Sequence, residues 1–250
     1  MFDAFTIFAI AITFLIAGTV KGVIGLGLPT VSLALLTATL GLPQAMALLL
    51  APSLVTNIWQ AVKGGNARAI LQRLWPFLLM ATVTVWLGAI ALTRADLSLL
   101  SALLGALLVV YATMSLAGFK LTIATRDEFW AGSLLGTTNG ILTGMTGSFV
   151  VPGVLFLQAI GLPRDMLIQA MGMLFTASTF SLAIALQGNG LLTNELGVLS
   201  LAALLPAIIG MVFGQQIRQK LPEALFRRAF FIALLVLGTY IIANAFYGFK

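Results

Sequence analysis

Apolar residues along the chain fall into ten stretches, and the charged residues lie mainly in the short segments between them. A hydrocarbon core about 30 Å thick requires a helix of roughly 20 residues to cross it, so this pattern predicts an all-α polytopic membrane protein. The stretches run roughly 4–20, 22–41, 43–62, 74–93, 97–118, 129–145, 148–161, 164–187, 195–217 and 229–247.

Four of these stretches, the first, second, sixth and seventh, are short or interrupted by glycine. Some of the four are therefore expected to be broken or to re-enter the membrane from one side instead of spanning it.

Three landmarks occur in the same order in both halves of the chain. The glycine-rich segment 18–27 is matched by 136–147, Gly41-Leu-Pro43 by Gly161-Leu-Pro163, and Trp75-Pro76 by Leu205-Pro206. This recurrence predicts an internal duplication of five segments each, with a first membrane repeat over 1–118, a cytoplasmic linker over 119–128 and a second membrane repeat over 129–250.

The charges of the loops indicate how the two repeats are oriented. Basic residues collect in loop 63–73 and again in loop 218–228, which follow different segments of the two repeats. The positive-inside rule places both loops in the cytoplasm, which requires an even number of crossings between them. That number results if segments four to nine all cross, or if six and seven form a re-entrant pair. The repeats are then inverted with both termini outside, which is typical of secondary transporters.

The composition excludes several classes of protein. Of 250 residues 60% are hydrophobic and only 8% charged, which leaves no room for a soluble enzyme or a large extramembrane domain. The chain has no His and no Cys, so we expect no metal site, no cofactor and no disulfide. No run of Lys and Arg indicates binding to nucleic acid. Because its first 18 residues lack a basic n-region, we interpret them as a retained membrane segment.

The two glycine-rich segments are the candidate substrate site. In inverted-repeat transporters, broken helices at the repeat interface bind the substrate, and their N-terminal dipoles favour an anion. Glycine lets the backbone leave helical geometry and lets amide groups approach a ligand. The candidate glycines are Gly22, Gly25, Gly27, Gly140, Gly144 and Gly147. Glycines four residues apart also allow helices to pack closely, which is the interpretation we prefer for Gly210 and Gly214.

Lys21 and Asn139 occupy matching positions in the two segments when Gly22 is aligned with Gly140. An ionisable group at membrane depth is costly and usually functional, and a lysine would offer positive charge to an anion. The alternative is that Lys21 extends its amine to a cytoplasmic interface at the end of the first segment. The sequence leaves both interpretations open.

Hydroxyl and amide side chains supply further candidate hydrogen-bond donors. The hydroxyls of Thr137, Thr138, Thr143, Thr146 and Ser148 either bind oxyanion oxygens or bond to carbonyls of their own helix. Buried amides in lipid need partners, so those of Asn57, Gln60, Gln158 and Gln169 are expected to face the protein interior. There they either hold helices together or line a path.

The acidic residues all fall at predicted loops or helix ends, so coupling through a central carboxylate is not expected. Asp165 is the exception to consider, since it would have to fold inward beside Arg164. The alternative is that these two residues cap a helix after Pro163. A passive or potential-driven route, or a substrate that itself carries the proton, fits the pattern better.

Several motifs, distributed over nearly the whole chain, resemble those of the sulfite exporter TauE/SafE family. They are Lys21-Gly-Val-Ile-Gly25-Leu-Gly27-Leu-Pro29, Gly41-Leu-Pro43, Ala51-Pro-Ser-Leu-Val-Thr-Asn57-Ile-Trp-Gln60, Gly140-Ile-Leu-Thr-Gly144-Met-Thr-Gly147-Ser-Phe-Val-Val-Pro152, Phe156-Leu-Gln158, Gly161-Leu-Pro163-Arg-Asp165 and Gln169-Ala-Met-Gly172-Met-Leu-Phe175. Many members have an uninterrupted glycine run at each break, where this chain has Leu26, Leu28, Thr146 and Ser148.

The resemblance implies a small bacterial membrane protein that moves sulfite, small sulfonates or related sulfur-containing anions, usually outward. We therefore expect an exporter in the bacterial inner membrane, with a small anionic substrate bound between the two helix breaks. The alternative is a permease of the same architecture for an amino acid or another organic anion. An intramembrane enzyme would lack a base, and a scaffold would need longer loops. Whether two copies form a homodimer is left open by the sequence.

Overall fold

The computed structural model describes residues 2–119, 121–220 and 223–248, and this part of the chain is helical without strands. The helices of the first half are α1 (Ala4–Ile24), α2 (Leu28–Leu40), α3 (Leu42–Leu48), α4 (Leu50–Val62), α5 (Ala67–Val83), α6 (Val85–Arg94) and α7 (Leu97–Leu116). A 3-10 turn (Thr125–Asp127) leads into the second half, which contains α8 (Glu128–Thr146), α9 (Gly153–Ala159), α10 (Arg164–Gly188), α11 (Asn194–Arg218) and α12 (Glu223–Tyr247). The predicted linker includes Lys120, which lies outside the described residues.

Six helices in the described part are long and apolar enough to cross a membrane, which confirms a polytopic membrane protein. They are Ala4–Ile24, Ala67–Arg94, Leu97–Leu116, Arg164–Gly188, Asn194–Arg218 and Ala224–Tyr247; α3 and α4, bent by 45°, form a seventh if they are one span. Four of these spans separate the two basic loops, so the even number of crossings expected from the loop charges fits the alternative with a re-entrant sixth and seventh segment.

The interrupted segments differ from the sequence expectation in one respect. With 13 and 7 residues, α2 and α9 are too short to span, as expected for broken segments. In contrast, α1 has 21 residues and continues through Gly22, and α8 continues through Gly140 and Gly144. The breaks are therefore shorter than the glycine-rich segments, because these glycines lie at contacts between helices.

The chain forms two compact units, each assembled from both halves of the sequence. Unit 1 comprises Met1–Pro52, Asp96–Gly118 and Leu191–Lys250; unit 2 comprises Ser53–Ala95 and Phe119–Gly190. The predicted division into a first and a second membrane repeat describes the order of segments along the chain, and it stays a prediction.

In unit 1, α1 packs along α11 with the two helices running in the same direction. A Cβ atom added to Gly210 would lie 2.1 Å from the carbonyl oxygen of Leu15, and one added to Gly214 would lie 2.2 Å from that of Thr19. At their N-terminal ends, the backbone N–H of Phe2 donates to Glu195 at 3.1 Å. These backbones approach each other so closely that only glycine fits, which supports the packing interpretation of Gly210 and Gly214.

The N-terminus of α1 is capped by Asp3, whose carboxylate accepts the backbone N–H of Thr6 at 3.0 Å. Hydrogen bonds from the side chain and backbone of Thr6 lower the pKa of Asp3 below its ordinary value. The carboxylate is therefore suited to stay charged at the positive end of the helix dipole.

In unit 2, α8 packs in the same direction along α5 and α6. Added Cβ atoms on Gly136, Gly140 and Gly144 would lie 2.6, 2.8 and 2.1 Å from the carbonyl oxygens of Phe77, Ala81 and Val85. At the N-terminal ends of α5 and α8, Arg73 forms two hydrogen bonds with Glu128, of 2.5 and 2.8 Å. Exposed Trp75, Phe129 and Trp130 surround this end, as aromatic residues do at a membrane interface.

The same helix pairing thus occurs in both units: a helix that precedes a break packs along a helix from the other half of the sequence. In unit 1 the break follows the C-terminal end of α1, which packs against the C-terminal part of α11, near Arg218. In unit 2 the break follows the C-terminal end of α8, and Arg73 lies at the opposite, N-terminal end of that helix. The inversion of the repeats stays a prediction.

Gly210→Ala should destabilise the protein because its methyl group would meet the Leu15 carbonyl oxygen. Overpacking of this kind costs about 1–3 kcal/mol, so the midpoint of thermal unfolding in detergent should fall by several degrees. Gly197→Ala is the matched control on the same helix, because nothing lies within 4 Å of its added Cβ. Equal midpoints for the two variants would contradict the packing role of Gly210.

Candidate functional site

The first break, in unit 1, is formed by two glycines with left-handed backbones. Gly25 (φ 84°) ends α1, and its N–H donates to the carbonyl of Lys21 at 2.8 Å. Gly27 (φ 106°) precedes α2, whose first turn contains Pro29 and whose N-terminus has no side-chain cap. Left-handed backbone is strained for other residues, so these glycines are required by the break itself.

Lys21 lies in the last turn of α1 and is buried, with only 6% of its surface exposed. A lysine that extended its amine to an open interface would retain much more exposure, so burial favours the interior interpretation over the interfacial one. Gly22, next to it, faces the backbone of α11, where an added Cβ would lie 2.2 Å from the Met211 carbonyl oxygen. Lys21 therefore lies next to a close contact between the backbones of α1 and α11.

The second break, in unit 2, runs from Gly147 to Pro152. Gly147 (φ 73°) ends α8 and donates its N–H to the Thr143 carbonyl at 2.7 Å. The Thr143 hydroxyl donates to the Ser148 carbonyl at 2.9 Å, and the Ser148 N–H donates to the Thr146 hydroxyl at 3.2 Å. These buried hydroxyl residues fix the path of the chain where it leaves the helix.

The other hydroxyls of α8 bond to carbonyls of their own helix. Thr146 donates to Leu142, Thr137 to Ser133 and Thr138 to Leu134, at 2.7, 2.8 and 3.0 Å. The sequence left open whether these hydroxyls bind an oxyanion or bond to their own helix, and the structure shows the bonds to their own helix. A contact between any of them and a substrate stays a prediction.

The helix ends also change the alignment of the two breaks. Gly25 and Gly147 are equivalent left-handed caps that bond to Lys21 and Thr143. By this geometry Lys21 corresponds to Thr143, one turn further along the helix than Asn139, with which the sequence motif aligned it. The shift arises because the glycine spacing of four repeats along each helix, so the motif alone fits two registers.

Asn139 lies in α8 and is fully buried. Its Oδ1 accepts the backbone N–H of Gly153, the first residue of α9, at 2.9 Å, and an added Cβ on Gly153 would lie 2.6 Å from this oxygen. Its Nδ2 has no hydrogen-bond partner among the described residues. A buried donor left unpaired costs about 1–3 kcal/mol, so the Nδ2 of Asn139 is available to a further partner. A contact between this amide and a substrate stays a prediction.

Asn57 belongs to a buried polar cluster between α4 and α10 in unit 2. Its Nδ2 donates to the hydroxyl of Ser53 at 3.0 Å, and that hydroxyl lies 3.3 Å from the hydroxyl of Thr179. The neighbouring hydroxyl of Ser178 is buried with no partner among the described residues. Sequence reasoning missed Ser53, Ser178 and Thr179, although a serine four residues before Asn57 in an apolar stretch was a usable signal.

Gln60 and Gln169 join α4 to α10 through main-chain groups. The Gln60 amide donates to the Ile168 carbonyl at 2.8 Å, and the Gln169 amide donates to that of Ala61 at 2.8 Å. Gln169 also accepts the backbone N–H of Asn66 at 2.8 Å. Both the NH2 group and the oxygen of the Gln169 amide are thereby used within the protein, as expected for a residue that holds helices together.

The structure also tests the positions expected for Gln158 and Asp165. Gln158 is exposed on the short helix α9, so the expectation that it faces the interior is wrong; the opposite side of this helix buries Phe156 and Leu157 instead. Asp165 is exposed in the first turn of α10. This position agrees with the alternative in which Asp165 lies at the start of a helix after Pro163, and not with a carboxylate that folds inward.

Comparison with known proteins gives one match. The family model described as "Sulfite exporter TauE/SafE" matches residues 10–241 of the chain. The match extends over both breaks and includes both Lys21 and Asn139. The chain matches no curated protein and no solved structure.

Gln169→Leu should lower stability by about 1–3 kcal/mol, because it leaves the Asn66 N–H and the Ala61 carbonyl without their partner. Gln158→Leu, on an exposed position, is the matched control and should change stability by less than about 0.5 kcal/mol. Thermal unfolding of the purified variants in detergent measures the difference. A Gln169→Leu protein as stable as Gln158→Leu would show that these bonds contribute nothing.

Proposed function

The chain belongs to the sulfite exporter TauE/SafE family, and on this basis we propose that it transports sulfite or a small organosulfonate outward across the bacterial inner membrane. The family match over residues 10–241 implies a membrane exporter of the sulfite or anion type. Beyond this, we propose the substrate, the outward direction and the residues that bind the anion.

The observation that carries the proposal is the burial of Lys21 at the first break. A sulfite or sulfonate group presents several oxygens that carry negative charge, and a lysine ammonium is a compact positive charge with three donors. Taking such a charge out of water is costly, and an anionic ligand offsets that cost. The N-terminus of α2, 13 residues long and without a side-chain cap, begins a few residues after Lys21 and adds a favourable dipole.

At the second break the proposed donor is the unpartnered Nδ2 of Asn139. It is neutral, so it binds an oxyanion oxygen without adding a second buried positive charge. The hydrogen bond from the Thr143 hydroxyl to the Ser148 carbonyl supports the shape of the break. The Gly153 N–H, which donates to Asn139 Oδ1, holds the Asn139 amide beside α9. The glycines of both breaks give the anion access to the backbone.

A transporter is favoured over an enzyme because the family consists of transporters and the chain contains no His or Cys. The carboxylates of the chain lie outside the two breaks, so the proposed driving force is the membrane potential or the substrate gradient. A permease for an amino acid or another organic anion would use the same architecture, and substrate competition separates the two.

Lys21→Met should reduce sulfite flux at least tenfold, since a charge-assisted hydrogen bond contributes about 1.5–3 kcal/mol. The assay is sulfite flux in proteoliposomes across an imposed potential, at two pH values. Lys63→Met removes the same charge from an exposed loop position and should leave flux within about twofold. Size-exclusion profiles before reconstitution verify that both variants are folded.

Full sulfite flux through folded Lys21→Met would remove the charge role. Flux that follows the potential at fixed pH supports an electrogenic anion route, whereas flux that follows only the pH gradient indicates movement with a proton. No sulfite flux through folded wild-type protein would discard sulfite, and competition with sulfonates, thiosulfate and amino acids would then identify the substrate class.

Asn139→Asp separates binding from structure at the second break. The carboxylate keeps an oxygen acceptor for the Gly153 N–H but replaces the free Nδ2 donor by negative charge. We expect a folded protein whose sulfite flux above pH 7 is at least tenfold lower, because the anion is repelled. Normal flux at that pH, with an unchanged unfolding midpoint, would show that Asn139 does not face the substrate.

A further inference from the structure

A basic cavity lies in unit 1 between the C-terminal end of α7 and the N-terminal part of α12. Its volume is about 800 Å³, and it is lined by Ser115, Leu116, Ala224, Arg227, Arg228, Phe231 and Ile232. The proposed transport function uses none of these residues.

In this cavity the guanidinium group of Arg227 contacts a pair of packed aromatic rings. Its guanidinium carbon lies 5.7 Å from the centroid of the Phe231 ring. Phe231 in turn meets Tyr111 of α7 edge-on, with ring centroids 5.2 Å apart, and both rings are buried. A guanidinium held over an aromatic face keeps its N–H donors available for a second partner.

The chemistry of the cavity is divided into a charged side and an apolar side. Arg227 and Arg228 are exposed and adjacent, and together they present two guanidinium groups suited to bidentate binding of a phosphate. On the apolar side, Leu116 and Ile232 remain 37% and 47% exposed. A ligand that fits both sides carries a phosphate and a hydrocarbon chain.

The location of the cavity along the membrane normal agrees with this chemistry. Arg227 and Arg228 belong to the basic segment 218–228, which the positive-inside rule places in the cytoplasm. The cytoplasmic leaflet carries anionic lipids, and basic pockets between membrane helices on that side bind their headgroups.

We propose that this cavity binds an anionic phospholipid, with the headgroup phosphate on Arg227 and Arg228 and an acyl chain along Leu116 and Ile232. Binding joins the end of α7 to the start of α12. The site is independent of the substrate and of the direction of transport, so it is tested without a flux assay.

The test compares lipid retention by the purified protein in native mass spectrometry, with phosphatidylglycerol and phosphatidylcholine of identical acyl chains. Wild-type protein should retain phosphatidylglycerol in preference. Arg227→Gln/Arg228→Gln should lose roughly thirtyfold in affinity for it, the value expected for two charge contacts at the membrane surface. Lys63→Gln/Arg68→Gln is the matched control, because it removes two exposed charges from the other basic loop.

Arg227→Lys/Arg228→Lys keeps the charge and should retain the preference for phosphatidylglycerol in weakened form. If the double glutamine variant does not fold, Arg228→Gln alone, which leaves the contact of Arg227 with Phe231 in place, should still lose several-fold. Equal loss in the control variant, or equal retention of both lipids by wild type, would overturn the proposal. If inorganic phosphate displaces phosphatidylglycerol at a concentration similar to that of the lipid, the cavity is a site for free phosphate and the lipid proposal is wrong.

Discussion

The close approach of helix backbones at glycine is the contact on which the rest of this structure depends. In lipid, apolar side chains gain nothing by moving from the membrane to a neighbouring helix, so association relies on close packing at small residues. Here α1 meets α11 at Gly210 and Gly214, and α8 meets α5 and α6 at Gly140 and Gly144. These contacts hold α1 and α8 against their partner helices, and the chain turns at each break after the left-handed caps Gly25 and Gly147.

Glycines in the same motif thus have two different roles, helix packing and helix termination, and the sign of φ distinguishes the two roles. Gly22, Gly140 and Gly144 lie inside helices and allow contact with a partner backbone, whereas Gly25, Gly27 and Gly147 have positive φ and allow the helix to end. A motif that combines both kinds is constrained at each glycine, either by a neighbouring backbone or by a positive φ. This explains how one short pattern can identify a family while leaving its substrate undetermined.

The positions of the helices and breaks could be predicted from the sequence better than the contacts between helices. Hydropathy alone located the spanning helices, and the glycine-rich segments located both breaks to within a few residues. It could not predict that α1 pairs with α11, because the pattern along a helix records only that one side has small residues, not which distant helix meets it. For the same reason it could not distinguish Gln169, tied to Asn66 and Ala61, from the exposed Gln158.

The difference between the two breaks bears on how an anion would be released. The left-handed caps align Lys21 with Thr143, so the position that carries a buried lysine at the first break carries a neutral hydroxyl at the second. A transporter must bind its substrate well enough to replace water and weakly enough to let it leave, a balance also found in channels. A second buried cation would tighten the hold on an anion and slow its departure. The roles proposed for Lys21 and Asn139, one charge and one neutral donor, therefore suit the passage of an anion better than its tight binding.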